Sequence, residues 1–567
     1  MIFFLLTQYW RAWSVPFVGD DFVILDRVSG ASFWDLWRTK GPMLFGWYRP
    51  VSRELHYWIM QRLAGNHETA FHLVSLALWV SILCLLHRYL HTLVGSRVAA
   101  IAVAGAACLS VWGGPLIWIA GVQDLWMLLF GLAYLLASLS RRPRLAALWL
   151  SLAVLSKESA AVFVAVAIAA DVSVNRLDLR KALRNQIPSI LVLAGWALIH
   201  PTLFARVSGR YASSAETSPR PGLGWMVSRT LLAVFDLDTW PSPESGWGGA
   251  FLLGAVAAIP LLVILLPEWR RMEAARPSRE RRWRFAGVWS AIGVAVALGP
   301  SLGWHVYYAI IGLLGIWMGL AMFLSQHRRT AIAVIVLMGF LRAARADSPS
   351  WDWGTEWYQV RAGNILRSFR DELLSRHPSV PPHARIYFTH VPNNIGLIAG
   401  DSPAPRIWYP DSTLQAHFLR DYVVRDPSES RGPDYFFYFD SLRGLEELEP
   451  ATSGVRREGL SPEWEARYYN LATVLLLGGD LDGAASEYLA LARGDPRRTD
   501  CAMFAAAIFE RVGRAKERDD ALRSARASGM SEAETARQLS LLMSHFPRIR
   551  RAPAARPEVL ESGGSRP

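Results

Sequence analysis

Two adjacent aspartates, Asp20 and Asp21, are the residues whose type and position most directly suggest chemistry. They follow a hydrophobic N-terminus and precede many apolar segments. Carboxylates beside a membrane domain are costly to desolvate, so their presence indicates a site. The pair can act as a general base, bind a metal ion, or do both. Capping of a helix that begins near Phe22 is the structural alternative, and it accounts for one aspartate better than for two.

Other polar residues lie at the ends of apolar segments, where they can assist such a base. Arg49 lies on a segment with amphipathic spacing, so it either contacts a lipid phosphate or reaches the membrane surface as an interfacial side chain. Lys157 and Glu158 are adjacent and could simply neutralise each other. The candidates for binding the substrate or its lipid phosphate are Arg49, Asp124, Lys157, Glu158, His305 and Tyr308.

Composition indicates a membrane protein. The chain has 567 residues, 52% of them hydrophobic, and its net charge is +12. Its arginines cluster in short loops between apolar runs, which is typical of cytoplasmic loops and argues against nucleic-acid binding. The three cysteines are too few and too scattered for a disulfide framework or a zinc motif, and no cleavable signal peptide is evident.

Apolar runs predict about 10–12 membrane spans, the first of them too short to cross a bilayer of about 30 Å. The basic loops fall in every second connection, so one orientation makes all of them cytoplasmic. The same orientation places the acidic pair and the other candidate residues at the outer face. The predicted spans are 1–13, 69–90, 97–115, 120–138, 145–157, 158–174, 187–205, 248–266, 285–300, 304–324 and 329–345.

The last third of the chain is polar, and the orientation places it outside the membrane as well. Runs at 384–389 and 435–439 have strand character, which predicts a small extracytoplasmic α/β domain. Small and aromatic residues with tetratricopeptide spacing follow, and they indicate helical repeats that could recruit a protein partner. The predicted divisions are a membrane domain at 1–345, the α/β domain at 346–460, the repeats at 461–546 and a disordered tail at 547–567.

The order of these motifs resembles the GT-C class of multi-span glycosyltransferases, especially protein O-mannosyltransferase-like members that end in tetratricopeptide repeats. The resemblance covers roughly 15–345 and, separately, the repeats. It implies a GT-C-like α-helical membrane fold with the two C-terminal elements described above. The segments that carry it are 19–21, 48–50, 70–75, 118–121 with Asp124, and 155–158.

The resemblance also implies an activity. Enzymes of this class transfer a sugar from a polyprenyl phosphate, so one carboxylate of Asp20 and Asp21 would deprotonate an acceptor hydroxyl on an envelope protein or glycan. Lys157, Arg49 and His305 would stabilise the departing phosphate, or a divalent metal at Asp20 or Asp21 would do so. The implied location is a bacterial-type inner membrane. A non-catalytic scaffold that recruits envelope partners through its repeats is the alternative. A lipid-sugar transporter is less favoured because the span interiors carry almost no charge.

Overall fold

The structure is a computed structural model, and it divides the chain into two compact units, Met1–Arg367 and Ser368–Pro567. Each unit is described separately. The described residues are 9–38, 47–204, 222–238, 277–298, 304–346, 349–350, 352–391, 403–426, 432–452 and 454–545.

The first unit is built from helices. Apolar residues dominate several of the longer ones, including Glu68–Val94, Val122–Leu139 and Ile310–Leu324. Its α-helices are Asp20–Ser29, His56–Ala64, Glu68–Val94, Ser96–Ala107, Gly113–Ile117, Val122–Leu139, Pro143–Val154, Val162–Ser173, Leu179–Asn185, Ile187–Ile199, Leu223–Leu232, Pro277–Ala297, Ile310–Leu324, Arg328–Ala346 and Glu356–Arg376, the last of which continues into the second unit.

Three segments of the described chain are long and apolar enough to cross a membrane, namely Glu68–Val94, Ile119–Leu139 and Val306–Leu324. The number rises to five if two bent helix pairs each count as one span, Ser96–Ala107 with Ser110–Ile117 and Leu179–Asn185 with Ile187–Ile199.

These numbers are lower than the 10–12 spans that the sequence predicts. Predicted spans 145–157 and 158–174 become helices of 12 residues each, separated by a turn that carries Lys157. A 12-residue helix rises only about 18 Å. A polar turn thus divides this apolar region into two helices that are each too short to cross a bilayer of about 30 Å on their own. Predicted span 248–266 and most of 1–13 lie outside the described residues.

Close backbone packing joins two helices of this unit. A Cβ atom on Gly293, in the Pro277–Ala297 helix, would overlap the backbone at Gly312 in the Ile310–Leu324 helix. Small residues allow this approach, and where lipid replaces water such packing is a main source of helix association. Gly105 is likewise covered by the Trp317 ring.

A buried arginine is paired within the same unit. Arg342, in the Arg328–Ala346 helix, forms an ion pair with Glu356, and its Nε donates to the Tyr9 hydroxyl at 3.3 Å. Tyr9 in turn donates to the Leu109 carbonyl at 3.2 Å. The pairing offsets part of the cost of a buried charge and connects Tyr9 with the Arg328–Ala346 helix.

The second unit contains a four-stranded sheet in the order β2-β1-β3-β4. β1 pairs in parallel with both β2 and β3, and β3 pairs antiparallel with β4. Phe369 and Leu373 of the long Glu356–Arg376 helix pack with Ile386, Phe388 and other residues in the core of this sheet. The strands are β1 Arg385–Thr389, β2 Gln415–Phe418, β3 Asp434–Asp440 and β4 Gly444–Glu447. β1 and β3 lie where the sequence predicts strands.

Five helices follow the sheet, and the first four form two helix pairs. Ala472 and Ala484 are fully buried in this helical core, as expected for closely packed pairs. The helices are Pro462–Leu477, Leu481–Gly494, Thr499–Val512, Ala515–Ala527 and Glu532–His545. The tetratricopeptide assignment and the four-part domain division stay predictions, and the tail at 547–567 lies outside the described residues.

The Gly293 contact makes a prediction about stability. Gly293→Ala would force the two helices apart and lower the free energy of unfolding by about 1–3 kcal/mol, the usual cost of overpacking. Gly287→Ala, in the same helix, is the matched control because nothing lies within 4 Å of its Cβ position. Thermal unfolding in detergent should show a lower midpoint for Gly293→Ala alone. Equal midpoints for the two variants would contradict the packing.

Candidate active site

The two aspartates of the acidic pair have different environments. Asp21 is fully buried, and both of its carboxylate oxygens accept hydrogen bonds. Oδ1 accepts from the Tyr57 hydroxyl at 2.6 Å, and Oδ2 accepts from the Val18 backbone N–H at 2.8 Å. Asp21 therefore ties the start of its helix to the His56–Ala64 helix.

Asp20 is only half-buried, and no hydrogen bond between described residues involves its carboxylate. Burial raises its pKa to about 6, although the charges of Arg53 and Arg49 act in the opposite direction. Burial also raises the pKa of Asp21 to about 7. Of the two, only the Asp20 carboxylate lacks a hydrogen-bond donor within the described part of the chain.

A π-helix at Pro50–Leu55 carries the next residues of the site. Such widened turns are rare and are often found at functional sites. The Val51 N–H donates to the Leu155 carbonyl at 3.3 Å, and Ser52 Oγ donates to the Ser156 carbonyl at 2.6 Å. These bonds hold the segment that follows Arg49 against the polar turn at 155–158.

Arg49 reaches Glu158 across this contact. Its Nε lies 3.0 and 3.1 Å from the two Glu158 oxygens, and its Nη2 donates to Oε2 at 2.7 Å. Its Nη1 donates to Gln123 Oε1 at 2.9 Å. A planar guanidinium bound in this way has a fixed orientation.

Lys157 pairs with a different carboxylate. Its Nζ donates to both oxygens of Asp124, at 2.6 and 2.7 Å, and both side chains are buried. The same Nζ lies 5.0 Å from the Tyr307 ring centroid and 5.2 Å from that of Tyr308. Lys157 and Glu158 therefore do not neutralise each other, because each pairs with a residue from another element.

His305 lies beside these tyrosines. Its Nδ1 forms a hydrogen bond with Asp352, while its Nε2 is buried with no hydrogen-bond partner among the described residues. Its ring centroid lies 3.8 Å from that of Trp353 and 5.4 Å from that of Tyr308. The partner of His305 is thus an acid near the end of the first unit.

The structure brings together most of the residues that the sequence singles out. Asp20 lies in electrostatic range of Arg49, and Arg49 lies in range of Asp124 and Tyr308. Sequence reasoning missed the residues that hold them, which are Gln123, Tyr57, Asp352 and Trp353. Gln123 directly precedes Asp124, which was a usable signal. No local pattern links Tyr57 to Asp21 or Asp352 to His305.

A metal site is not evident in the part of the chain that the structure describes. No group of three or more His, Cys, Asp or Glu side chains there could hold a metal ion. The expected role of Asp20 or Asp21 as a metal ligand stays a prediction.

Comparisons with known proteins find distant structural likeness and no sequence relative. No protein-family model and no curated protein matches the chain. The crystal structure of ArnT from Cupriavidus metallidurans bound to undecaprenyl phosphate is 12% identical, with a TM-score of 0.42, and the match covers 73% of this chain and 84% of that one. The apo structure of the same protein is also 12% identical, with a TM-score of 0.39, and the match covers 72% of this chain and 83% of that one.

At 12% identity and TM-scores of 0.42 and 0.39, this likeness does not decide the activity of the chain.

The Lys157–Asp124 pair makes a prediction about stability. Lys157→Met would leave Asp124 buried and unpaired, which costs about 3–5 kcal/mol. Lys157→Met with Asp124→Leu removes both charges and should recover most of that loss. Thermal unfolding of the two variants in detergent tests this prediction. If Lys157→Met were as stable as the wild-type protein, Lys157 and Asp124 would not form an ion pair in the folded protein.

Proposed function

We propose that this chain is a GT-C-type glycosyltransferase of the bacterial inner membrane. It transfers a sugar from a polyprenyl phosphate to a hydroxyl group of an envelope protein or glycan at the outer face. The observation that carries the proposal is the half-buried Asp20 carboxylate, which accepts no hydrogen bond from the described residues and lies in electrostatic range of Arg49 and Arg53. The resemblance of the sequence motifs to GT-C enzymes supports the choice of substrate class.

Asp20 is the proposed general base. It takes the proton from the acceptor hydroxyl while that oxygen attacks the anomeric carbon of the sugar. The bond between this carbon and the phosphate oxygen breaks, and its electron pair leaves with the lipid phosphate. Direct attack inverts the anomeric centre. A pKa of about 6 suits this role, because the carboxylate is still ionised near neutral pH and yet more basic than an exposed one.

Asp21 is the proposed positioning residue of the pair. Each of its oxygens accepts a hydrogen bond, from the Tyr57 hydroxyl or the Val18 N–H, so the protein fixes the orientation of this carboxylate. Its role is to hold the first turn of the Asp20–Ser29 helix, and with it Asp20, at the site.

Arg49 and Lys157 are the proposed ligands of the lipid phosphate. Glu158 and Gln123 engage three of the five N–H groups of Arg49, and Asp124 engages two of the three on Lys157. The remaining N–H groups, which no other described residue accepts, are available to phosphate oxygens. Glu158 and Asp124 orient the two cations, which reduces the entropy lost on binding.

The membrane orientation is part of the proposal. The alternation of basic loops supports an outer location for the site and an extracytoplasmic C-terminal region. The two helix pairs after the sheet, with their buried small residues, support a tetratricopeptide-like surface for a protein partner.

Substitution of each aspartate separates their roles. Asp20→Asn should lower the transfer rate by about 10²–10⁴-fold, the usual contribution of a general base, without changing the thermal midpoint. Asp21→Asn is the matched control. It should lower the midpoint, because an amide NH₂ would face one of the two donors that the carboxylate accepts. Transfer from polyprenyl-phosphate sugars to envelope extracts is measured for both variants at equal membrane levels.

Two results would overturn the enzyme proposal. One is wild-type transfer by Asp20→Asn, and the other is no transfer by the wild-type protein with any donor. If envelope defects instead followed changes on the surface of the helix pairs alone, the scaffold interpretation would be favoured.

The pH dependence gives an independent test of the base. Because Asp20 must be deprotonated, the transfer rate should be constant above its pKa of about 6. Below that value the rate should fall by about tenfold per pH unit, as the ionised fraction falls. Initial transfer rates at saturating donor and constant ionic strength measure this fall on the acidic side of the pH profile. A rate that does not change between about pH 5 and 7 would exclude a base with this pKa.

A further inference from the structure

A carboxylate near the end of the first unit is held in a fixed orientation. Asp352 Oδ1 accepts from His305 Nδ1 and from the Gly354 backbone N–H, the latter at 2.7 Å. The Asp352 carbonyl accepts from the Thr355 N–H at 3.0 Å, which closes a tight turn. The Asp352 side chain is 24% exposed and that of His305 only 7%. His305 is thus the buried support, and Asp352 is the group that other molecules can reach.

Aromatic side chains adjoin this carboxylate. The half-buried Trp353 follows it directly, and the Trp353 ring centroid lies 5.3 Å from that of Trp118. Trp118 Nε1 donates to the Val18 carbonyl at 3.2 Å, two residues before Asp20. The two tryptophans therefore connect the Asp352 turn with the proposed base.

A close approach fixes this turn against the rest of the site. A Cβ atom on Gly354 would lie 2.8 Å from the Tyr307 ring, so only glycine fits without a shift. Tyr307 also lies beside Lys157. The turn is consequently held next to the group proposed to bind phosphate.

We propose that Asp352, Trp353 and Trp118 form a subsite that binds the ring of a sugar, with His305 as its positioning residue. The inference rests on the proposed function, because the sugar is a substrate of that transfer. Asp352 Oδ2 accepts a sugar hydroxyl, and the C–H face of the ring packs on the tryptophans. An aromatic wall with one oriented polar group is a common arrangement in small-molecule sites.

This assignment changes the role expected for His305. An imidazole that donates Nδ1–H to a carboxylate has an acceptor at Nε2 when it is neutral, and a phosphate has no proton to offer it. The negative charge of Asp352 also disfavours a nearby phosphate. A sugar ring has hydroxyl protons that it can donate to Nε2, and it has no negative charge for Asp352 to repel.

Sugar binding without turnover provides the test. Full-length protein in lipid nanodiscs is titrated with neutral methyl pyranosides, followed by saturation-transfer NMR, and separately with a polyprenyl phosphate that carries no sugar. Asp352→Asn and Trp353→Leu should each weaken binding of the preferred pyranoside by about tenfold. Both should leave the affinity for the sugar-free lipid unchanged.

Two substitutions of His305 test its positioning role. An asparagine amide can take the place of Nδ1–H, so His305→Asn should bind the pyranoside within about threefold of wild type, whereas His305→Leu should lose about tenfold. His91→Asn, at an exposed position of the Glu68–Val94 helix, is the matched control and should not change binding. Equal loss in both His305 variants would overturn the positioning role.

Steady-state kinetics show whether the subsite binds the sugar of the donor or a sugar of the acceptor. If the subsite binds the donor sugar, Asp352→Asn raises KM for the lipid-linked donor, and if it binds the acceptor, KM for the acceptor rises instead. Unchanged pyranoside binding in Asp352→Asn and Trp353→Leu, or weaker binding of the sugar-free lipid, would overturn the subsite. If the subsite were overturned in this way but the wild-type protein transferred sugar, the proposed function would still hold. Binding of pyranosides that depends on Asp352 in a protein without transferase activity would support the subsite and refute the proposed function.

Discussion

The candidate site depends on the pairing of charges inside an apolar helical unit. A buried ion without a partner costs several kcal/mol, so each cation here requires a carboxylate. Arg49 pairs with Glu158, and Lys157 pairs with Asp124. Both pairs join different elements, and both centre on the turn at 155–158. The turn interrupts the apolar sequence because these charges must lie there.

The surroundings of Asp20 and Asp21 distinguish these two adjacent aspartates. Asp20 and Asp21 share a residue type and a position, yet backbone geometry directs one toward Tyr57 and Val18 and leaves the other near two arginines. A carboxylate that accepts two hydrogen bonds from the protein is held in a fixed orientation. A carboxylate that accepts none from the described residues, in a partly desolvated position, retains its capacity to take a proton.

The relation of His305 to Asp352 shows what tertiary contacts add to an assignment based on residue type. Histidine at an outer turn suggested a phosphate ligand, because imidazole is readily charged. Its observed partner is acidic, and its surroundings are aromatic. The chemistry of a residue depends on what faces it, and that partner lies 47 positions away along the chain.

Much of the fold followed from the sequence alone, because it depends on local patterns. Apolar runs located the helices Glu68–Val94 and Val306–Leu324, and strand-like runs located β1 and β3. The acidic pair and the polar turns were also evident, since charges between apolar runs stand out. Only the tertiary structure decided which charges meet, which aspartate accepts hydrogen bonds from the described residues, and which apolar runs a polar turn divides into short helices. These outcomes depend on contacts between residues distant in sequence, such as Arg49 with Glu158, and no local pattern encodes such contacts.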